Sequence, residues 1–322
     1  MAYIWRKINV WFWKESVRGT AVAIANWVPK TNLDFQQKCE VANDESSFGV
    51  IADSVESYVT KQWAEGNIEG NVNVNSFGFA LLSAFGAVSS AVATTGAYTH
   101  SYTVLESNEH PTLTIGVNDP VEGDMSFPGA MLDSLEVSAA VGGFVTFTAT
   151  YKSKKETTGT HTVTYVTDYT LLARHCGVKF ASALAGLWAA SNICVQSFSL
   201  SINKNLEEDL CLSSIEPIDF NNTMFVVEGS MTLNFEDEVQ KDLYVNATKQ
   251  AMRISMIDTA TTIGLSNNPT IEFDMAKVKV TEWTKSQGND EIVTQDVTFK
   301  AFYSTADAQI ITGRLVNTKS SY

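Results

Sequence analysis

Alternation of apolar and polar residues runs through much of the chain and predicts a fold built from strands. Two stretches show it most clearly, residues 71–75 and residues 230–234. Successive side chains of a strand point to opposite faces, so each stretch has one apolar face for a core and one face of small neutral polar side chains for water. The polar positions are Asn71, Asn73, Asn75, Ser230, Thr232 and Asn234.

These two stretches belong to a longer repeat. Glu69-Gly70 precedes the first and Glu228-Gly229 precedes the second, an offset of 228 − 69 = 159 residues, and a segment with helical periodicity follows each. Other landmarks recur in the same order, at offsets of 158 residues for 111–115 with 269–273 and 152 residues for 145–147 with 297–299. A nearly constant offset predicts an internal duplication.

The length of 322 residues suits two domains, each long enough to bury a core. The predicted domains are 1–170, which includes an N-terminal arm, and 171–322. Short alternating segments outnumber helical patterns, so the predicted fold class is mainly β, with one α-helix in each domain.

Two long connections, residues 42–58 and 203–222, are predicted tips of hairpins. Loops of this length inside compact domains are usually functional or disordered. Both are acidic, through Asp44, Glu45, Asp53, Glu56, Glu207, Glu208, Asp209, Glu216 and Asp219. A turn near residue 153 is basic instead, through Lys152, Lys154 and Lys155.

The charge and the missing motifs narrow the possible functions. The net charge is −14 and no basic stripe is present, which argues against a protein that grips nucleic acid but suits a surface that DNA passes without sticking. The four cysteines and four histidines lack metal-ligand or catalytic spacing, and no nucleotide-binding or hydrolase motif occurs. We therefore expect no enzyme activity, no catalytic residue, no metal and no cofactor. No convincing membrane-spanning segment is present, so no membrane partner is expected.

Several segments resemble the tail tube, or major tail, proteins of long-tailed bacteriophages. The likeness runs over residues 11–317. The segments that carry it are Lys14-Glu15-Ser16-Val17-Arg18-Gly19-Thr20, Trp27-Val28-Pro29, Asn43-Asp44-Glu45-Ser46-Ser47-Phe48-Gly49, His110-Pro111-Thr112-Leu113-Thr114-Ile115 and Asp296-Val297-Thr298-Phe299-Lys300-Ala301-Phe302.

The resemblance implies β-sandwich domains, each with a flanking α-helix, whose inner sheets join between subunits into a closed barrel around a DNA channel. Most such rings are six-fold. Two domains in one chain then imply a trimer with six pseudo-equivalent domains, while a hexamer with one domain on the outside stays open. The expected place is the virion, in a non-contractile (siphovirus) tail assembled in the bacterial cytoplasm.

Within this resemblance the polar positions of 71–75 and 230–234 are expected to line the lumen. The acidic tips are expected to dock on the adjacent ring, with the three lysines near residue 153 as candidate partners. The expected partners are further copies of the chain, tape measure, tail terminator and distal tail proteins, and phage DNA that passes non-specifically. Two alternatives are a β-sandwich adhesin or receptor-binding module of a virion or cell surface, and a β-sandwich hydrolase.

Overall fold

The fold is mainly β, as predicted. A computed structural model describes residues 4–23, 26–286, 288 and 292–322, so residues 1–3 of the predicted N-terminal arm lie outside it. The strands of residues 1–170, called the first half, are β1 (Asn9–Lys14), β2 (Asn26–Val28), β3 (Asn32–Asp44), β4 (Glu56–Asn71), β5 (Gly86–Thr94), β6 (Ala97–Val104), β7 (Leu113–Asp119), β8 (Gly123–Ala140), β9 (Thr146–Ser153) and β10 (Thr157–Thr158).

Residues 171–322, called the second half, contribute the remaining strands and one of the two helices. The strands are β11 (Cys176–Ala181), β12 (Val195–Asn203), β13 (Leu206–Asp209), β14 (Asp219–Asn222), β15 (Val226–Asn234), β16 (Lys249–Ile257), β17 (Thr270–Lys285), β18 (Thr294–Ala301) and β19 (Ile311–Asn317). The helices are α1 (Gly78–Phe85) and α2 (Val239–Val245), and short 3-10 turns cover Trp5–Lys7, Ala173–His175 and Leu184–Trp188.

An antiparallel sheet of eight strands, called the central sheet, runs through both halves. Its order is β3-β4-β9-β8 from the first half, followed without a break by β12-β15-β18-β17 from the second half. The second set of four repeats the order of the first set, which is the internal duplication that the sequence predicts. The two sets meet where β8 pairs with β12, from Ser134↔Asn203 to Ala140↔Ser197.

Matching side chains mark the equivalent positions of the two sets. Gly70 pairs with Phe147 in the first set, and Gly229 pairs with Phe299 in the second set. In both places the phenylalanine ring crosses the glycine. A Cβ atom at Gly70 would lie 3.0 Å from Phe147 Cε1, and one at Gly229 would lie 2.5 Å from Phe299 Cζ. The repeated Glu-Gly therefore has a packing reason, because a larger residue would displace the same ring in each half.

The long strands β8 and β17 also form a second layer. The N-terminal part of β8 pairs with β7 and β10, and that of β17 pairs with β16 and β19. This makes β7 the counterpart of β16, so the match of 111–115 with 269–273 was wrong because it aligned β7 with β17. The matches at Gly70 and at Phe147 are confirmed.

Among the described residues, the first half contains a hairpin that has no counterpart in the second half. The hairpin β5–β6 lies between α1 and β7, whereas α2 leads directly into β16. Its strand β6 pairs with β19, so it extends the second layer of the other half. Because the halves share this layer, a domain boundary at residue 170 stays a prediction.

The two helices differ in their surroundings. All eight residues of α1 are buried inside the core, between the layers. The shorter α2 lies at the surface and buries only Gln240 and Leu243 among its residues. The expectation of a flanking helix therefore describes α2, whereas α1 is part of the core.

Candidate assembly surfaces

One face of the central sheet is polar, and its side chains form a continuous row across the strands. Residues paired in register on neighbouring antiparallel strands share a face. The row contains, in order, Asn71, Thr146, Ser138, Ser199, Ser230 and Thr298. Six neutral side chains from six strands thus line one level of this face, and Glu282 of β17 continues the row beyond Thr298.

Four of the six predicted lumen residues lie on this polar face. Asn71 and Ser230 belong to the row itself. Thr232 and Asn234 follow further along β15; Thr232 Oγ1 donates to Asp296 Oδ1 at 2.7 Å, and Asn234 Oδ1 accepts from Gln196 Nε2 at 2.6 Å. The structure therefore brings these four residues together on one surface, and their place in a lumen stays a proposal.

The predictions for Asn73 and Asn75 need correction, because these side chains are 7% and 5% exposed. The chain has left β4 at this point and turns towards α1. Asn73 Oδ1 accepts from Thr170 Oγ1 at 2.6 Å, and Asn75 Nδ2 donates to the Thr167 carbonyl at 3.0 Å. Their side-chain amides therefore form hydrogen bonds with the segment between the halves. Both side chains point into the interior of the protein and are not available to line a channel.

The polar face is more acidic than its predicted residues suggest. Glu136 Oε1 accepts from Ser199 Oγ at 2.7 Å, and Lys300 Nζ lies 2.6 Å from Glu228 Oε1. Glu69 pairs in register with Thr148, next to Glu136 on the following strand. Carboxylates at this level repel phosphates and therefore do not contribute to DNA binding.

Two strand edges of the central sheet are open. Among the described residues, strand β3 pairs only with β4, and β17 pairs with β18 but has no strand neighbour on its other edge beyond Lys279, where β16 begins. Open edges present unpaired N–H and C=O groups to other strands. Each chain therefore carries one free edge at each side of the same sheet.

The hairpin β3–β4 continues beyond Ala64, where the pairing of β4 with β9 ends. We call residues 38–63 the arm; none of its residues is fully buried. Phe48 is 68% and Val50 is 65% exposed near its tip. Among the predicted acidic residues, Asp44 has a pKa below its usual value, because its carboxylate accepts from the hydroxyl and backbone N–H of Ser46. The predicted long acidic tip is confirmed as an exposed hairpin connection.

The second predicted tip folds back onto the first half as the hairpin β13–β14. We call residues 206–222 the brace. Glu208 forms ion pairs with Lys61 and, at 3.8 Å, with Lys152, and Asp219 pairs with Arg18 at 2.6 Å. These two carboxylates are therefore engaged within the chain, which corrects their assignment as free stacking groups. The residues Glu45, Asp53, Glu56, Glu207 and Asp209 are exposed, and Glu216 is half-buried.

The three lysines near residue 153 are also placed differently from the prediction. Lys152 pairs with Glu208 of its own chain, so the expected contact of an acidic tip with Lys152 occurs within one molecule. Lys154 lies over Gly19 and Gly129, and Lys155 is half-buried. A role of Lys154 and Lys155 in stacking stays a proposal.

Three basic side chains, Arg18, His110 and Lys204, lie beside the brace at the junction of the halves, and the sequence did not reveal them. Lys204 is fully buried, and its Nζ donates to the Ser83 carbonyl at 2.9 Å. Burial, with Arg18 nearby, lowers the pKa of Lys204 to about 7. Burial likewise lowers the pKa of His110 to about 4. Arg18 links His110 to the brace, because it donates to the carbonyls of His110 and Phe220.

Replacing Arg18 with alanine should destabilise the protein by about 2 kcal/mol, because buried carbonyls and Asp219 lose a charged donor. Chemical denaturation of the purified chain measures this directly. Arg174→Ala is the matched control, because Arg174 is exposed and donates only to His175 among the described contacts. Equal stability of the two variants would contradict a structural role for Arg18.

The described residues contain no group of three or more His, Cys, Asp or Glu side chains that could hold a metal ion. Cys39, Cys194 and Cys211 are exposed free thiols, and burial raises the pKa of Cys176 to about 12. His100 is buried and accepts or donates a hydrogen bond with Ser90 Oγ at 2.7 Å. Among the described helices none has the length and apolarity needed to cross a membrane.

The sequence could have indicated more of the polar face than it did. Residues 134–139 alternate as strictly as residues 230–234, with Ser134, Glu136 and Ser138 opposite Leu135, Val137 and Ala139. That pattern shows a strand with one polar face. It does not show that this strand pairs with β12, because the pairing joins residues about 60 positions apart.

A comparison with protein families matches residues 6–301 to the model described as phage tail tube protein. A search among curated proteins finds no match. The family match spans both halves, and with them the central sheet from β3 to β18. This chain therefore belongs to the phage tail tube protein family, whose members are structural components of the tail.

Proposed function

We propose that the chain polymerises into the tube of a phage tail, as trimeric rings stacked head to tail around a channel for DNA. The observation that carries this proposal is the join between β8 and β12 inside one chain. It shows two four-stranded sets pairing edge to edge. A third set, from the next subunit, would use the same geometry.

The internal join indicates which edges meet between subunits. β8 is the last strand of the first set and β12 is the first strand of the second set. The corresponding free edges are β17 and β3. We therefore propose that β17 beyond Lys279 pairs with the edge of β3 in the next subunit. This pairing removes the two open edges, which are a hazard in an isolated chain.

The number of strands favours a trimer. Eight strands per chain and three chains give 24 strands, and strands about 4.8 Å apart and tilted by about 40° then form a barrel about 48 Å across its backbone. A duplex fits inside this barrel with its side chains. Six chains would give 48 strands and a barrel about 96 Å across, far wider than one duplex needs. The trimer also presents six similar domains, with predicted boundaries at 1–170 and 171–322.

The internal join also supplies a register. In that join Ser199 pairs with Ser138. Ser199 also faces Ser230, whose counterpart is Asn71. Extending the β3–β4 register two residues beyond the pair Asn32↔Glu69, past the start of β3, would place Lys30 opposite Asn71.

The counterpart of Ser138 follows in the same way. Ser138 faces Thr146, and the equivalent Thr298 faces Glu282. The proposed contact between subunits thus places Lys30 of one chain beside Glu282 of the next, an opposite-charge pair.

Cysteines at both positions should therefore cross-link subunits. Under mild oxidation the double variant Lys30→Cys, Glu282→Cys is expected to give covalent dimers and trimers and to stop at the trimer. Each single variant is the control for the native exposed thiols. A ladder that continues to hexamers would contradict the trimer, and no ladder from assembled protein would contradict the proposed edge pairing.

The polar face is proposed to line the channel. Its neutral row and its carboxylates offer phosphates few cations, so DNA passes without counterion-release binding. Asn71, Ser230, Thr232 and Asn234 are the predicted lumen residues that lie on this face. The virion is the proposed location, and other tail proteins at the ends of the tube are the proposed further partners.

A further inference from the structure

We propose that helix α2 packs into a groove on the first half of the next subunit, as α1 packs onto the second half within one chain. The occupant of the groove is therefore a second copy of this chain, and the contact lies beside the proposed pairing of β17 with β3. This inference rests on the proposed function, because it assumes that subunits join side by side in a ring.

Helix α1 shows how a helix covers the join between two four-stranded sets. It follows β4 of the first half, yet its end contacts the second half. Lys204, the residue after β12, donates from Nζ to the Ser83 carbonyl at 2.9 Å. The ring of Phe85 stacks on the ring of Phe273 of β17, with 6.3 Å between centroids. It also covers Gly313 of β19, where a Cβ atom would lie 3.2 Å from it.

The strand order identifies the corresponding surface on the first half. Strands β3, β8 and β10 correspond to β12, β17 and β19, because β10 pairs with the N-terminal part of β8 as β19 pairs with that of β17. The repeated glutamates of β4 and β15 pair with Asn32 and Ser201. Three residues further along the chain, Phe35 therefore corresponds to Lys204. A helix that covers the first half in the same way would meet Phe35.

This corresponding surface is an open groove. It is a cavity of about 690 Å³ between β3 and the second layer. The rings of Phe35 and Phe127 meet almost at right angles in its floor, with 5.0 Å between centroids. Carboxylates also line it, from Glu122, Asp124 and Glu156. The groove therefore suits a helix end that carries an apolar and a basic side chain.

Helix α2 has this combination on its outward face. It follows β15 and packs against β17, as α1 follows β4 and packs against β8. Gln240 and Leu243 are its buried residues. Because a helix turns once in 3.6 residues, Lys241 and Val245 lie one turn apart on the opposite face. Val245 is 67% exposed, and it is the last residue of α2 as Phe85 is of α1.

Charge favours the same match. The Lys241 ammonium pairs with Glu238 of its own helix at 3.0 Å, and both side chains are largely exposed, so this pair holds the lysine weakly. Carboxylates of the groove offer Lys241 a less exposed partner once Val245 has entered beside the phenylalanine rings.

The different burial of the two helices follows from this arrangement. Helix α1 is buried because its neighbouring set belongs to the same chain. Helix α2 lies beside the last set, so its neighbour arrives only with a second subunit. A trimeric ring then has a helix at each of its six joins, three of them α1 and three α2.

The test compares two exposed valines. Val245→Asp places a carboxylate on the outward face of α2, whereas Val92→Asp makes the same change on β5, where Val92 is 68% exposed. We expect Val245→Asp to raise the concentration at which half of the chains form rings at least about tenfold, because a buried valine contact is lost. Val92→Asp should match the unmodified chain. Native mass measures both, and amide hydrogen exchange in residues 239–246 of the unmodified chain should slow when rings form.

Charge exchange identifies the groove as the partner. Lys241→Glu should weaken ring formation, and adding Glu122→Lys with Glu156→Lys to the same chain should restore it. Without this restoration the groove would not be the site that receives Lys241, and the inference would be overturned.

The remaining outcomes separate this inference from the proposed function. Equal ring formation by the two valine variants, with unchanged exchange in residues 239–246, would overturn the role of α2 and leave the tube in place. Failure of the unmodified chain to form rings would instead overturn the proposed function.

Discussion

Deleting residues 44–56 is expected to leave a folded, ring-forming protein that no longer builds tubes. Asn43 and Ser57 pair directly across the arm, so an Asn-Gly turn between them closes the shortened hairpin. The deleted residues contribute no fully buried side chain, so the stability of the body should change little. What disappears is the exposed apolar tip with Phe48 and Val50.

Electron microscopy and native mass should then show trimers or single rings at concentrations where the unmodified chain gives tubes. The shortened protein should also interfere with tube formation when it is mixed with the unmodified protein. Rings without an arm can still receive the arms of an unmodified ring, so they add to one end of a growing tube and stop it. Small amounts should therefore shorten the tubes. Normal tubes from the deleted protein would contradict docking through the arm.

Lysine at the polar row should have the second large effect. Ser230 is exposed on the central sheet and faces Ser199 and Thr298, so Ser230→Lys adds a cation without an adjacent carboxylate in that row. Every trimeric ring would add three lysines to the channel. We expect tubes of normal appearance and DNA ejection at least about tenfold slower at low salt, because each cation binds phosphate by releasing counterions.

Raising the salt concentration should restore the ejection rate, since counterion release weakens as salt increases. Ser101→Lys is the matched control. Ser101 is an exposed serine on β6, in the second layer, and its replacement changes the net charge equally. Rapid ejection by the Ser230 variant at low salt would contradict the lumen placement. Equal slowing by both variants would point to net charge and away from the channel.

Much of the fold follows from local pattern. The alternation around Gly70 and Gly229 identified strands that do occupy equivalent places, because the rings of Phe147 and Phe299 require glycine there. Local pattern also showed a long exposed hairpin. These features depend on residues that are close in sequence, or on a packing requirement that both copies share.

Features that depend on distant pairing were not predictable. Asn73 continues the alternation of Asn71, yet it is buried because the chain leaves the sheet there to meet Thr170. Glu208 was similar to every other acidic tip residue in sequence, yet it is paired because the chain bends at Asn205 and brings the brace onto Lys61. Neither event has a local signal, since both partners come from another part of the chain.

The difference between the two tips has the same origin. In sequence both are long and acidic, so an equal role in stacking was the natural expectation. In the fold only the first extends as an arm, and the second lies on the first half through Asp219 and Arg18. A duplicated chain can therefore retain the same strand order while its two tips take different positions.

The most direct test of the central claim is electron cryomicroscopy of the polymerised protein, at a resolution that separates strands. We predict a hollow tube of trimeric rings, in which a 24-stranded barrel continues from β17 of one chain to β3 of the next and the polar face points inward. A tube of hexameric rings, a barrel closed through other edges, or a particle that never stacks would contradict the account.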